Sequence, residues 1–156
     1  MELFENFQEE LVCMNLAAVE RDEVLHEMLK MLVGLKKIEE KDIDPILIEL
    51  VRRETLGTTA IGRAVALPHA RMDDIPEITV ALGLSSNGIK FHALDAHPVR
   101  AVFLVLGPKS DSDGYIEAMK TVSNMTRSED FRRFLLRADS AREVAELIRE
   151  MSDKMK

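Results

Sequence analysis

The run Val99 to Leu106, V-R-A-V-F-L-V-L, sets the tightest limit on what this chain can fold into. Side chains of a strand alternate between the two faces of its sheet, so a near-continuous apolar run demands cover on both. Helices on both faces supply that cover, which predicts an α/β arrangement. A length of 156 residues suits one domain with a core of its own, and the reading takes residues 1–156 as that domain, with its core at about 11–151. The chain holds six Phe, one Tyr and no Trp, so aliphatic side chains and nine Met fill the interior.

Other elements are placed around this strand by periodicity. Leu11 to Val19 reads as a short edge strand with its connection. Asp22 opens a helix whose Val24, Leu25, Met28, Leu29, Leu32 and Leu35 share one face. His26 lies on it as a solvated histidine. Asp44 is expected to cap a second helix with Pro45 at its first position. Ala64 to Leu67 is a short buried strand stopped by Pro68, and Ile78 to Leu84 is another. Ser85 to Gly88 reads as a turn, Ile89 and Phe91 as a further short strand, and Asp95 to Pro98 as a second turn. After the polar stretch Lys109 to Gly114 come three helices, the second capped by Ser128 and the third by Ser140 with Glu143 in a capping box. The turns between strands imply antiparallel pairing. The fold class expected is α/β, with a mixed parallel/antiparallel β-sheet flanked by helices on both faces.

Charge and cysteine content exclude several functions. The formal net charge is −7, against the basic face that nucleic-acid binders need. Cys13 is the single cysteine, so no internal disulfide forms, and a reducing cytoplasm is the expected location. The acidic Met1 to Glu10 segment lacks the layout of a signal peptide, and no apolar run is long enough to span a bilayer. No membrane insertion, metal or cofactor is expected. His92 and His97 flank Asp95, but no zinc ligand spacing accompanies them.

The chemistry gathers in Arg53 to Arg71, R-E-T-L-G-T-T-A-I-G-R-A-V-A-L-P-H-A-R. Pro68 holds Leu67 in extended geometry, so His69 leaves a rigid strand end. An imidazole there is either structural or a nucleophile able to attack phosphorus or a carbonyl at neutral pH. Arg53, Arg71, Gly57, Gly62 and the hydroxyls of Thr58 and Thr59 supply cations and donors that suit an anion. Arg63 and Arg71 also read as surface charges, and the threonines as loop closures. Gly57 and Gly62 have the gap of a phosphate-binding P-loop, but Arg63 and Ala64 follow in place of Lys and Ser/Thr.

Glu54, six residues, Ile61-Gly62, two residues, then Val65-Ala66-Leu67-Pro68-His69-Ala70 resembles the active-site signature of the type 2 enzyme IIA family. These are the fructose/mannitol-type IIA domains of the bacterial phosphoenolpyruvate:sugar phosphotransferase system. Arg53-Glu54 and the segment Gly88-Ile89-x-Phe91-x-Ala93-x-Asp95-x-x-Pro98-Val99 agree with it, and the likeness covers about Leu16 to Met151. The resemblance implies an α/β fold with a mixed sheet. It implies that His69 accepts a phosphoryl group from the phosphohistidine of an HPr-type carrier, with Arg53 beside it and Thr58 and Thr59 as phosphate contacts; Arg71 is read either as a surface charge or as a phosphate-binding residue. The group then passes to a IIB cysteine or stays as a regulatory mark on a protein that binds a regulated target.

One position departs from the pattern. Relay members carry a second histidine in a His-Leu pair, where this chain has Tyr115-Ile116. A tyrosine hydroxyl donates a hydrogen bond but cannot become an imidazolium. Three functions follow: a nitrogen-related regulatory IIA protein, which a free-standing domain favours; a sugar-transport relay; and a degenerate binding module.

Overall fold

The computed structural model describes residues 1–156. Five strands form one sheet: β1 (Val12–Cys13), β2 (Val65–Ala66), β3 (His69–Arg71), β4 (Thr79–Ile89) and β5 (Val99–Gly107). The order across it is β1-β4-β5-β2, with β3 also paired to β5. β4 and β5 are antiparallel, from Thr79 opposite Leu106 to Leu84 opposite Ala101. β1 runs parallel to β4, and β2 and β3 run parallel to β5. This is the mixed sheet the sequence predicts, with the apolar run at its centre.

Every residue of β5 except Arg100 is buried, as cover on both faces requires. Six helices provide it: α1 (Glu2–Glu5), α2 (Arg21–Gly34), α3 (Ile43–Leu56), α4 (Ser112–Arg127), α5 (Glu129–Arg137) and α6 (Ala141–Lys154). α2 and α3 pack on each other and reach β4 and β3, while α4, α5 and α6 pack together and reach β5 and β1. One cluster of 41 buried hydrophobic residues joins them. Ser128 accepts from Phe131 N at 3.1 Å and Ser140 from Glu143 N at 3.1 Å, so both expected caps form. Glu143 reaches back to Asp139 N, one residue before the N-cap.

The structure corrects several expectations. α3 begins at Ile43 rather than after Asp44, and its N-cap is Asp42. Pro45 is tolerated there because the first four helical N–H groups have no partner within the helix. Ser85 to Gly88 is not a turn. β4 runs on through it to Ile89 with a register shift after Leu84, and Gly88 takes φ 86° while its N–H donates to Ser85 Oγ. A bulge and a turn draw on the same small polar residues, which is why the composition misleads. Ile89 therefore ends β4 instead of starting a new strand. α4 starts at Ser112, capped by Asp111, so the polar loop is shorter than read.

The core also extends beyond residues 11–151. Phe4 and Phe7 are fully buried, and the Phe7 carbonyl accepts from Arg149 Nε of α6 at 2.9 Å. α1 is too short to show a periodic pattern, so only packing against α6 reveals it. Phe7→Ala is expected to cost about 3–5 kcal/mol in a denaturant titration, as large-to-small changes in a packed core do. A loss under about 1 kcal/mol is the ordinary result for a surface residue and would show the N-terminal segment to be dispensable.

Candidate functional site

Pro68 interrupts the edge of the sheet without ending it. Its carbonyl accepts from Val105 N at 3.0 Å, and β3 resumes at His69, opposite Val105. A proline has no N–H to donate, so an edge position of this kind is where a sheet accepts one. His69 therefore sits within a paired strand rather than beyond its end, on a mount fixed by the central strand of the sheet.

The His69 ring is half-buried, with Nδ1 2.8 Å from the Leu67 carbonyl. A carbonyl only accepts, so Nδ1 carries the proton and Nε2 keeps its lone pair. Burial pushes the imidazole below its ordinary range. The Leu67 carbonyl opposes that, the Arg53 charge adds to it, and the Glu54 charge opposes it. The neutral ring with a free Nε2 is thus the favoured form at neutral pH.

Tyr115, at the start of α4, has its ring centroid 6.4 Å from that of His69. Burial pushes its phenol up to about 12, against the pull of Arg71 and Arg53. It stays protonated and keeps its O–H to donate. The Arg71 guanidinium lies over its ring at 5.5 Å and donates to Ser112 Oγ at 2.8 Å. Arg53 donates to the Gly57 carbonyl at 2.7 Å. His69, Tyr115, Arg53 and Arg71 thus share one electrostatic neighbourhood: a neutral nucleophilic nitrogen, a phenol donor and two guanidiniums.

The threonines divide. Thr59 is buried, and both its backbone N–H (2.9 Å) and its hydroxyl donate to the carboxylate of Glu54, itself 4% exposed. Its hydroxyl is committed to closing the loop. Thr58 Oγ1 accepts from Ala60 N at 3.1 Å, which leaves its own proton to donate. Ser112 and the Leu67 carbonyl were not singled out by sequence. Nothing local marks either: Ser112 is one polar residue among several, and a backbone carbonyl has no sequence signal.

His92 and His97 lie apart from this cluster. His97 N donates to Asp95 Oδ1 at 3.1 Å, and no group of three or more His, Cys, Asp or Glu side chains gathers there. Asp95 Oδ2 accepts from Arg63 N at 3.0 Å, tying the loop before β2 to the one before β5. No helix is long and apolar enough to cross a membrane.

The family profile described as phosphoenolpyruvate-dependent sugar phosphotransferase system, EIIA 2, matches residues 5–151. The chain belongs to this EIIA type 2 family. The fructose-specific EIIA component of Haloferax volcanii is 28% identical over 142 residues, covering 91% of each chain. A nitrogen regulatory protein of Pseudomonas aeruginosa is 30% identical over 114 residues, covering 72% of this chain and 73% of that one. The chain spans only 23% of the fructose-specific EIIABC component of Bacillus subtilis, which it matches at 26% identity. Among solved structures, nitrogen regulatory protein IIA-Ntr of Neisseria meningitidis superposes with TM-score 0.83 at 22% identity, over 95% of this chain and 99% of that one. IIA mannitol of Escherichia coli gives 0.76 at 20% identity, over 92% and 99%. The EIIA fold is thus the one found here, and the family holds both sugar-specific and nitrogen-regulatory members.

The tautomer and the depressed pKa of this EIIA histidine are measurable. In a 15N NMR titration, His69 is expected to hold its proton on Nδ1 and to titrate below 6.5, the ordinary value. The unfolded chain then binds the proton more readily than the folded one, so His69 lowers stability as pH falls through about 6.5, levelling off below the folded pKa. A midpoint above 6.5, or a proton on Nε2, would overturn the assignment.

Proposed function

We infer that His69 Nε2 is the phosphoryl acceptor of a phosphohistidine carrier. The observation that carries this reading is the bond from Nδ1 to the Leu67 carbonyl, which leaves Nε2 free beside Arg53 and Tyr115. The donor is the phosphohistidine of an HPr-type protein. Its N–P bond breaks as the bond from phosphorus to Nε2 forms, and the donor ring regains its lone pair. His69 keeps its Nδ1 proton and becomes formally cationic, and the Leu67 carbonyl stabilises that charge. Arg53, Arg71 and Thr58 receive the phosphoryl oxygens, and Tyr115 donates to one of them. Such transfer is mostly alignment and charge neutralisation.

Of the possible destinations, a regulatory role fits best. Nitrogen regulatory proteins are among the similar chains and the similar folds, and the second histidine of relay members is here Tyr115. In this reading phosphorylation switches binding to a target protein in the cytoplasm. Transfer to a IIB domain is the second reading, favoured by the likeness to the fructose-specific component of Haloferax volcanii. A structure of Escherichia coli IIA mannitol with its phosphorylated IIB also shares the fold. Either partner would meet exposed apolar side chains on segments bordering the site: Leu56 (72% exposed), Leu94 (74%) and Ile116 (48%).

With enzyme I, an HPr-type carrier and phosphoenolpyruvate, the protein is expected to take up acid-labile label, and His69→Ala to take up none. Label persisting in His69→Ala sinks the site. No label on the parent chain supports a binding module that takes no phosphate. Tyr115→His is expected to speed transfer roughly tenfold or more, the scale of a positioned acid–base group. An unchanged rate would mean that Tyr115 is no handicap.

A further inference from the structure

A second cleft, of about 460 Å³, opens between the loop before β2 and the junction of α4 with α5. It adjoins the histidine site at Thr59 and Leu67 and extends away from it. Arg127 lies twelve residues beyond Tyr115 on α4, a helical rise of about 18 Å. On the sheet, Val65 of the cleft pairs with Ala101 while His69 pairs with Val105, four residues or about 13 Å further along β5. None of His69, Arg53, Arg71 or Tyr115 lines the cleft.

Its lining is two-sided. Arg63, Arg127 and Arg132 bring three guanidiniums, and no carboxylate lines it. None of the three takes part in an ion pair, in a chain whose formal net charge is −7. Arg132 is steadied by donation to the Thr126 carbonyl at 2.7 Å. Arg63 sits in a run of three residues with positive φ: Gly62 at 139°, Arg63 at 61° and Ala64 at 66°. Arginine and alanine rarely adopt that region, and such conformations concentrate where a protein binds something. The apolar part of the lining is Ile61, Val65 and Leu67, from the same segment as Arg63.

Arginine forks match phosphate oxygens, and a concave site of this volume suits a small molecule. We propose that this cleft binds a small organic phosphate, with the phosphate on the arginines and an apolar or ring portion against Ile61, Val65 and Leu67. Leu67 also offers its carbonyl to His69 Nδ1, so the occupied cleft lies one residue contact behind the histidine. The proposal does not depend on phosphoryl transfer at His69.

Phenyl phosphate and inorganic phosphate are the probes, added to the full chain while 1H–15N NMR spectra are recorded. Phenyl phosphate is expected to give saturable shifts at Arg63, Ser123, Thr126 and Arg127, tighter than inorganic phosphate, weakened by salt, and retained in His69→Ala. Replacing Arg63 and Arg127, both exposed, by serine is expected to weaken binding about tenfold or more, since each removes charge-assisted bonds. Spectral dispersion reports whether that double variant folds, and the two single variants are read if it does not. Shifts confined to Arg53, His69 and Arg71, no saturation, or undiminished affinity in the serine variants would each overturn the site. Tighter binding of a short oligoglutamate peptide would overturn it in favour of an acidic protein segment.

Discussion

The hydrogen bond from Val105 N–H to the Pro68 carbonyl joins the edge of the sheet that carries His69 to its buried centre. Pro68 can accept but not donate, so the strand it interrupts must lie at an edge, with its accepting side toward β5. That constraint fixes which side of the strand faces β5, and the pairing places His69 opposite Val105. A slip of one residue would carry His69 to the other face of the sheet. The Leu67 carbonyl, on the near side of the same break, then fixes the ring tautomer. Rigidity of the mount and choice of the free nitrogen thus share a single cause.

The charges around the histidine follow from the packing of α3 and α4 against this edge. Arg53 comes from the end of α3, tied to the Gly57 carbonyl. Arg71 comes from β3 itself, laid on the Tyr115 ring and held by Ser112. The cation at this position is therefore a guanidinium stacked on a phenol, not a second imidazole. A guanidinium stays charged across the physiological range, whereas an imidazolium would be lost as pH rises. In this arrangement Tyr115 provides a platform and a donor, and His69, its imidazole pushed below the ordinary range by burial, stays neutral at neutral pH.

Beneath the cluster, the Glu54 carboxylate is buried but not unsatisfied, since Thr59 donates to it twice. This closes the loop after α3 and aligns it with β2. The same loop carries the strained turn at Gly62 to Ala64, which Asp95 holds through Arg63 N. A Cβ on Gly62 would meet Asp95 Oδ2 at 3.1 Å, so the turn and the loop before β5 are fitted closely. One segment thus serves two surfaces, the histidine site on one side and the arginine-lined cleft on the other.

The central strand, the amphipathic helices and the Ser128 and Ser140 caps were legible because each depends on neighbours within a few residues. The family was legible because the signature around His69 is contiguous. Where local signals are shared between structures, the reading went astray: Ser85 to Gly88 has turn composition but forms a bulge, and Asp44-Pro45 has cap composition but lies inside α3. Thr59, read as a phosphate contact or a loop closure, is bonded to Glu54. The rest depends on partners far apart in the chain: Arg71 with Ser112, 41 residues on; Arg63 with Asp95, 32 on; and Phe7 with Arg149, 142 on. Sequence alone settles which residues can form a helix, a strand or a nucleophile, because those properties are local. Which cation faces the histidine, and which threonine is already occupied, waits on folding, because contacts between distant segments exist only once the core has brought them together.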